Sequence, residues 1–191
     1  MRTRIRRAMI GDDRSIARVH VEGWRETYPG VVPDRVLNRL DVEDRRWFWR
    51  AALIERSGDR DFFVAESGGR VVGFGVCGEE QVGLEEFDGE FHALYVLRAG
   101  QGRGLGTRLM REMAAALAAR GRTAATVWVL RDNWRARRFY EKLGGRLIAD
   151  RPLDFDGTRV MEVAYGWTDI TPLACAATSR GAAGRGTTWL P

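Results

Sequence analysis

Residues 101–106 read QGRGLG and run directly into TRLMREMAAALAAR, residues 107–120. Three glycines in six residues weaken a helix, so this segment must serve something other than helix stability. The first turn of a helix leaves backbone N–H groups without acceptors, and its dipole adds partial positive charge there. The segment therefore predicts either a tight turn or a cradle for an anion such as a pyrophosphate.

The patterns around this loop predict a single domain of the α/β (α+β) class. Strands are expected over 3–9, 61–67, 70–79, 89–97, 123–130, 145–150 and 158–167. Helices are expected over 11–30, from Pro33 onward, and over 41–56, 104–120 and 133–144; the fourth carries an apolar stripe of Leu105, Leu109, Met113 and Leu117. The domain is predicted to span 1–170, and 171–191 is predicted to be a glycine-rich tail whose Trp189 and Leu190 dock on the domain or remain free.

Composition narrows the classes of function. The chain has 191 residues, 45% of them hydrophobic, and a net charge of +5, with its arginines scattered among acids. This mixture favours a solvated surface over a nucleic-acid groove. Cys77 and Cys175 lie far apart without metal-ligand spacing, so neither a metal site nor a disulfide framework is expected. The chain has no apolar run of about 18 residues and no signal peptide at its start, which predicts a cytoplasmic protein without a membrane partner.

The helix predicted after the fifth strand carries two polar side chains on one face. Asn133 and Tyr140 are seven residues apart, which places them within about 20° of each other around a helix. The amide can hydrogen-bond a ligand rich in amides, and the phenol can donate a proton. A lone tyrosine at such a position is more often part of the core. The glycine loop nearby favours the chemical interpretation.

Together, the two segments resemble the GCN5-related N-acetyltransferase (GNAT) superfamily. Its first motif, Gln/Arg-x-x-Gly-x-Gly/Ala, is matched by Gln101, Gly104 and Gly106. Its second motif is matched by Asn133, Ala136, Phe139, Tyr140, Leu143 and Gly144. The resemblance covers roughly residues 3–165, and HVEGWRETYPGVVPD near the start is similar to a bacterial subgroup of unassigned acceptor. Gly145 stands where the family usually has phenylalanine.

The resemblance implies a mixed central sheet of six to seven strands flanked by helices, splayed between strands 4 and 5. It also implies an acetyl-CoA-dependent N-acetyltransferase that acts by direct transfer to a primary amine. The implied cofactor-binding residues are Leu94, Tyr95, Val96, Gln101, Gly102, Arg103, Gly104, Leu105, Gly106, Thr107 and Asn133. Within this set, the loop amides would hold the pyrophosphate, Arg103 would add charge, and the strand would pair with the pantetheine. Tyr140 would protonate the departing thiolate, and the Val96 N–H would bind the oxyanion.

Direct transfer also requires a group that accepts the proton of the amine. Because side chains alternate along a strand, Glu90, His92, Leu94 and Val96 are expected to share one face. Glu90 is the first candidate for the base, directly or through a water, and His92 is the second. A salt bridge for Glu90 and a hydrogen-bonded, partly buried role for His92 remain the alternatives. The direct transfer usual in the family disfavours Cys77 as an acyl carrier.

The acceptor is the least defined part of the prediction. Six acids within 79–90 (Glu79, Glu80, Glu85, Glu86, Asp88 and Glu90) favour a cationic acceptor such as a polyamine or an aminoglycoside-like amino sugar, unless they form a solvated loop. Trp24 and Tyr28, one helical turn apart, form either a wall of the substrate site or part of the core. A peptide or protein acetyltransferase and a non-catalytic acyl-CoA-binding module are the alternative functions. A homodimer is left open.

Overall fold

The computed structural model describes residues 2–55, 59–155 and 157–178. Within these ranges the chain forms one sheet of seven strands, in the order β1-β2-β3-β4-β5-β7-β6. The strands are β1 (Thr3–Arg7), β2 (Asp61–Ser67), β3 (Arg70–Glu79), β4 (Gly89–Val96), β5 (Ala125–Leu130), β6 (Arg146–Phe155) and β7 (Thr158–Trp167). The pair β4–β5 is parallel and the other neighbouring pairs are antiparallel. The mixed sheet that the family resemblance implied is confirmed.

Helices cover both faces of this sheet. They are α1 (Asp13–Thr27), α2 (Asp34–Arg39), α3 (Val42–Glu55), α4 (Leu105–Ala119), α5 (Trp134–Lys142) and α6 (Thr171–Thr178). One core cluster packs α4, α5 and α6 against the sheet, and another packs α1 and α3 against the opposite face. The predicted stripe of α4 is fully buried in the first cluster. Burying each such leucine stabilises the fold by about 1.5–3 kcal/mol, which fixes α4 and the loop before it.

The sheet is split between β4 and β5. These two strands are paired only at Gly89 with Ala125 and at Glu90 with Thr126. Beyond Glu90 they diverge, so the edge of β4 that faces β5 has no strand partner among the described residues from Phe91 to Val96. The predicted splay is therefore confirmed. An unpaired strand edge offers a row of backbone donors and acceptors to a ligand.

A β-bulge in β4 changes which side chains face the site. Opposite β3, Val76 pairs with Ala93 and Cys77 pairs with Phe91, so His92 is an extra residue in β4. A bulge of this kind reverses the alternation of the side chains that follow it.

The two core clusters show that reversal. Phe91 and Leu94 pack on the α4 side of the sheet, whereas Ala93 and Tyr95 pack on the α1 side. The prediction that one face is shared by Glu90, His92, Leu94 and Val96 is therefore wrong. The strand period that supported it does not hold across an inserted residue.

The structure also differs from the prediction near the end of the chain. Strand β6 continues to Phe155 rather than ending at 150, and Pro152 is tolerated because β6 is an edge strand. Residues 171–178 of the predicted tail form α6, whose Leu173 is buried in the core against α4. Proline in a first helical turn is acceptable, as Pro172 shows. Trp189 and Leu190 lie outside the described residues, and the domain boundary at 170 stays a prediction.

Candidate active site

A cleft of about 320 Å³, the loop cleft, lies between the open edge of β4, the glycine loop and α5. It brings together most of the residues that the sequence proposed for cofactor binding, along with the proposed acid. These are Leu94, Tyr95, Val96, Gln101, Gly102, Gly104, Leu105, Gly106, Thr107, Asn133 and Tyr140. Arg103 does not line this cleft.

The glycine loop has the geometry of an anion cradle. Gly102 and Gly104 have φ values of 72° and 71°, in the left-handed region that favours glycine. The first hydrogen bond of α4 runs from the Arg108 N–H to the Gly104 carbonyl at 3.0 Å. The N–H groups of Leu105, Gly106 and Thr107 therefore have no acceptor within the helix. Such a helix start, open on the cleft side, fits a pyrophosphate.

Polar side chains around the loop have separate tasks. Gln101 donates its amide to the Val96 carbonyl at 2.7 Å and so ties the loop to the end of β4. Arg103 donates to the Ser67 hydroxyl at 2.9 Å, at the end of β2. The cation that lines the cleft is instead Arg135, in the first turn of α5. Sequence reasoning missed it because RARR, at 135–138, offers several equivalent arginines.

Polar side chains of α1, β4 and α5 meet at the inner end of the loop cleft. Asn133 caps α5 by accepting a bond from the Ala136 N–H at 3.2 Å. The Tyr28 hydroxyl lies near the side chains of Asn133 and Tyr95, which partly offset the rise that burial causes in its pKa. Trp24 donates its indole N–H to the Tyr95 hydroxyl at 2.9 Å. Trp24 and Tyr28 pack in a core cluster and also line the junction cavity, so the core interpretation holds and the substrate-site interpretation stays a prediction.

Tyr140 lies between two cavities. It lines the loop cleft and also a cavity of about 160 Å³, the junction cavity, which extends towards the β6–β7 hairpin. Its side chain is buried. Burial, and secondarily the neighbouring Tyr28, raise the pKa of Tyr140 above its ordinary value, so the phenol keeps its proton at neutral pH. The residue can therefore serve as a proton donor.

The junction cavity contains residues that sequence reasoning missed. Glu162 of β7 is buried, and its carboxylate lies 2.5 Å from the Arg151 guanidinium. Arg151 also stacks over the Trp128 ring, 4.0 Å from its centroid. The Trp128 indole N–H is buried and has no hydrogen-bond partner among the described residues. Sequence reasoning missed this pair because it ended β6 at residue 150. Arg151 therefore lay outside the predicted strand that pairs with β7.

A third cavity of about 340 Å³, the rear cavity, lies under α3 and contains both candidate bases. His92 Nδ1 lies 3.2 Å from a Glu90 carboxylate oxygen, and the other oxygen accepts a bond from the Gln81 N–H at 3.2 Å. His92 Nε2 is buried without a partner among the described residues. It lies against Gly78, where an added Cβ would stand only 3.0 Å from it. His92 lines both the junction cavity and the rear cavity.

The acidic stretch does not form a wall of these cavities. Glu80 accepts bonds from the N–H groups of residues 82–84, and Asp88 accepts bonds from those of residues 123 and 124. Glu85 and Glu86 are exposed. Of the six acids, only Glu90 lines one of the three cavities. In the described ranges, no group of three or more His, Cys, Asp or Glu side chains is placed to hold a metal ion.

Comparisons with known proteins agree with the class that this fold and site define. Residues 21–145 match the model of the acetyltransferase (GNAT) family. A Bacillus subtilis protein named uncharacterized N-acetyltransferase YuaI is 32% identical over 169 residues, which cover 88% of this chain and 95% of that protein. The chain therefore belongs to the GNAT family and is an N-acetyltransferase of that type.

Solved structures share the fold at low identity. The PaiA N-acetyltransferase of Thermoplasma acidophilum, in complex with coenzyme A, has a TM-score of 0.68 at 20% identity, covering 85% of this chain and 98% of that one. YncA of Salmonella typhimurium, a putative acetyltransferase with its cofactor acetyl-CoA, has a TM-score of 0.63 at 20% identity, covering 87% and 94%. In the described part of this chain, no helix is long and apolar enough to cross a membrane.

Proposed function

We propose that this protein transfers the acetyl group of acetyl-CoA directly to a primary amine. The observation that carries the proposal is the position of Tyr140. Its protonated phenol stands where the loop cleft, with its anion cradle, meets the junction cavity. A donor molecule and an acceptor molecule can approach that point from opposite sides, as direct transfer requires.

The loop cleft suits acetyl-CoA. The free N–H groups at the start of α4 would hold its pyrophosphate, and Arg135 adds positive charge to the same cleft. The open edge of β4 would hydrogen-bond the amides of the pantetheine, with Asn133 on the other side. When bound, acetyl-CoA supplies the activated acetyl group. Two structural neighbours, those of Thermoplasma acidophilum and Salmonella typhimurium, hold CoA and acetyl-CoA, which supports this choice.

Tyr140 is proposed to protonate the leaving thiolate. A phenol with a raised pKa holds its proton until a strongly basic group develops beside it. The surrounding cavity is largely apolar, which strengthens the hydrogen bond from the phenol to a developing anion.

For the base, the geometry favours His92 over Glu90. The Glu90 carboxylate already accepts bonds from Gln81 and faces Nδ1 of His92. With a proton on Nδ1, the Nε2 atom of His92 is the basic nitrogen. No described residue forms a hydrogen bond with Nε2. We therefore assign His92 as the group that takes the amine proton and Glu90 as a positioning residue. This reverses the order that the strand period suggested.

The acceptor is proposed to be a small primary amine. The volume of the junction cavity, about 160 Å³, suits an unbranched amine better than a folded protein surface. The acids that favoured a polyamine or amino sugar hold backbone turns or face solvent, so they provide no support for a cationic acceptor. A peptide or lysine acceptor would need an extended chain to enter this cavity.

The proposal can be tested by measuring CoA release from acetyl-CoA across a panel of primary amines. Calorimetry with acetyl-CoA alone runs in parallel. The expected result is acetyl-CoA binding together with amine-dependent CoA release. Binding without release for any amine would contradict the proposal and would favour a non-catalytic acyl-CoA-binding module.

A further inference from the structure

We propose that the acceptor amine also carries a carboxylate, and that Arg45 and Arg60 bind this carboxylate in the rear cavity. The inference rests on the proposed function, because it names the substrate class of the same site. It differs from the sequence-based expectation of a cationic acceptor.

The two arginines are the first observation. Many arginines of this chain are paired with carboxylates, as Arg6, Arg46 and Arg151 are. Arg45 and Arg60 line the rear cavity, and neither forms an ion pair with a described residue. Guanidinium groups bind carboxylates through two parallel N–H bonds. The one carboxylate among the described residues that line this cavity, Glu90, contacts His92 and Gln81 rather than either arginine, so the pair of arginines favours an anionic ligand.

The charge of Arg45 acts on the interior of the rear cavity. Burial, together with the positive charge of Arg45, lowers the pKa of His20 to about 4. His20 is therefore neutral at neutral pH, and its Nδ1 accepts a bond from the Trp49 indole at 3.1 Å. This histidine adds no positive charge of its own, so the arginines determine the anion preference.

The two carboxylates among the described residues that line the junction and rear cavities are already engaged. Glu90 is bound to His92 and Gln81, and Glu162 is bound to Arg151. The polar group without a partner in the junction cavity is a donor, the Trp128 indole N–H. Among the described residues that line these two cavities, a second ammonium group on the acceptor would find no unengaged carboxylate, whereas a carboxylate would find Arg45, Arg60 and the Trp128 N–H as donors. Leaving a charge unpaired in such a site is costly.

The positions of the cavities fit a ligand with separated ends. The junction and rear cavities share His92, Ala93 and Tyr95 as lining residues. An amine near Tyr140 and a carboxylate near the arginines would therefore place the linking chain beside the proposed base. Phe48, Trp49 and Phe62 line the rear cavity and suit an apolar linker. The substrate class is thus an amino carboxylate whose two charged ends are several bonds apart.

The test uses unbranched ω-amino carboxylates of increasing length. Alkylamines and α,ω-diamines of the same lengths are the comparison series, and kcat/KM is measured from CoA release. Hydrogen bonds to charged groups contribute about 1.5–3 kcal/mol, which corresponds to a preference of roughly ten- to a hundredfold for the amino carboxylate of best length over its alkylamine. Arg45→Gln and Arg60→Gln should each lower this ratio about tenfold. Arg50→Gln is the matched control on α3, because Arg50 does not line the cavity, and it should keep the wild-type ratio.

Each outcome decides a different claim. A preference for diamines, or an unchanged ratio in both arginine variants, would overturn the carboxylate site. Acetylation of alkylamines without any gain from a carboxylate would also overturn it, while leaving the acetyltransferase proposal intact. Failure to acetylate any amine would instead contradict the proposed function. Thermal melting of each variant shows whether a changed ratio comes from misfolding.

Discussion

The loop cleft and the rear cavity are built in opposite ways. Most of the residues that line the loop cleft come from two short segments, 101–107 and 133–140, that carry their own conformational signals, and α1 and β4 supply the others. The rear cavity is lined by residues of α1, α3, β2, β3 and β4 and of the segments next to them, which are far apart in the sequence. A proposed donor site that depends on short local segments suits a co-substrate that a whole family shares. A proposed acceptor site assembled from distant residues can change its specificity while the fold stays the same.

The largest expected effect concerns Tyr140, which lies between the loop cleft and the junction cavity. Tyr140→Phe removes one hydroxyl and keeps the ring, so the packing of α5 should survive. Loss of a general acid typically lowers turnover by about 10²- to 10⁴-fold. Steady-state kinetics should show this loss in kcat with little change in the KM for acetyl-CoA. Because the pKa of Tyr140 is raised, the wild type should show no alkaline decline from this phenol up to about pH 10.

Tyr165→Phe is the control for that experiment. The Tyr165 hydroxyl donates to Glu141 at 2.6 Å and lines none of the three cavities. The Tyr165→Phe variant should therefore keep nearly the wild-type turnover. A loss below about threefold in Tyr140→Phe would show that water or another group protonates the thiolate.

The next largest effect tests acetyl-CoA binding at the glycine loop of the loop cleft. Gly104→Glu forces a left-handed conformation on a residue with a side chain, at about 1–2 kcal/mol, and places a carboxylate beside the pyrophosphate. Like charges in contact cost several kcal/mol, so calorimetry should show acetyl-CoA affinity lowered on the order of a hundredfold or more. Gly121→Glu, with a φ of 78° at the other end of α4, controls for the strain. Equal affinity in the two variants would contradict the anion cradle.

This contrast explains how much of the molecule the sequence could predict. The left-handed residues at 102 and 104 and the spacing of Asn133 and Tyr140 are local properties. They depend on the backbone preference of glycine and on the helical period, and both are visible without the fold. The split sheet followed from the family resemblance.

The arrangement of the junction and rear cavities, the proposed acceptor site, depends on features that no local sequence pattern shows. The bulge at His92 arises from the register between β3 and β4, and it invalidates the face assigned by strand period. The pair of Arg151 and Glu162 exists because these residues face each other across β6 and β7. The prediction ended β6 at residue 150, before Pro152, whereas the strand continues through this proline because it lies at the edge of the sheet, a position that the sequence does not reveal.

A smaller effect is expected from the proposed base. His92→Gln should lower kcat/KM for the amine about tenfold or more at pH 6 and progressively less at higher pH, where more amine is already neutral. Glu90→Gln keeps an acceptor for the His92 Nδ1–H, so its loss should be only a few-fold. The pH–rate profiles of the two variants are the measurement. A larger loss in Glu90→Gln than in His92→Gln would make Glu90 the base.

The smallest expected effect is a change in kcat/KM whose direction distinguishes an anionic acceptor from a cationic one. Glu85 and Glu86 are exposed, line none of the three cavities, and can influence the acceptor only through long-range electrostatics. Such an influence reaches about 30 Å at 0.01 M salt and about 8 Å at 0.15 M. If the acceptor carries a carboxylate, changing both residues to glutamine should raise its kcat/KM by less than about twofold at low salt, with no change at 0.15 M. A polycationic acceptor would give the opposite sign, a fall at low salt. The salt dependence of one double variant therefore reports the charge of the acceptor even where its identity is unknown.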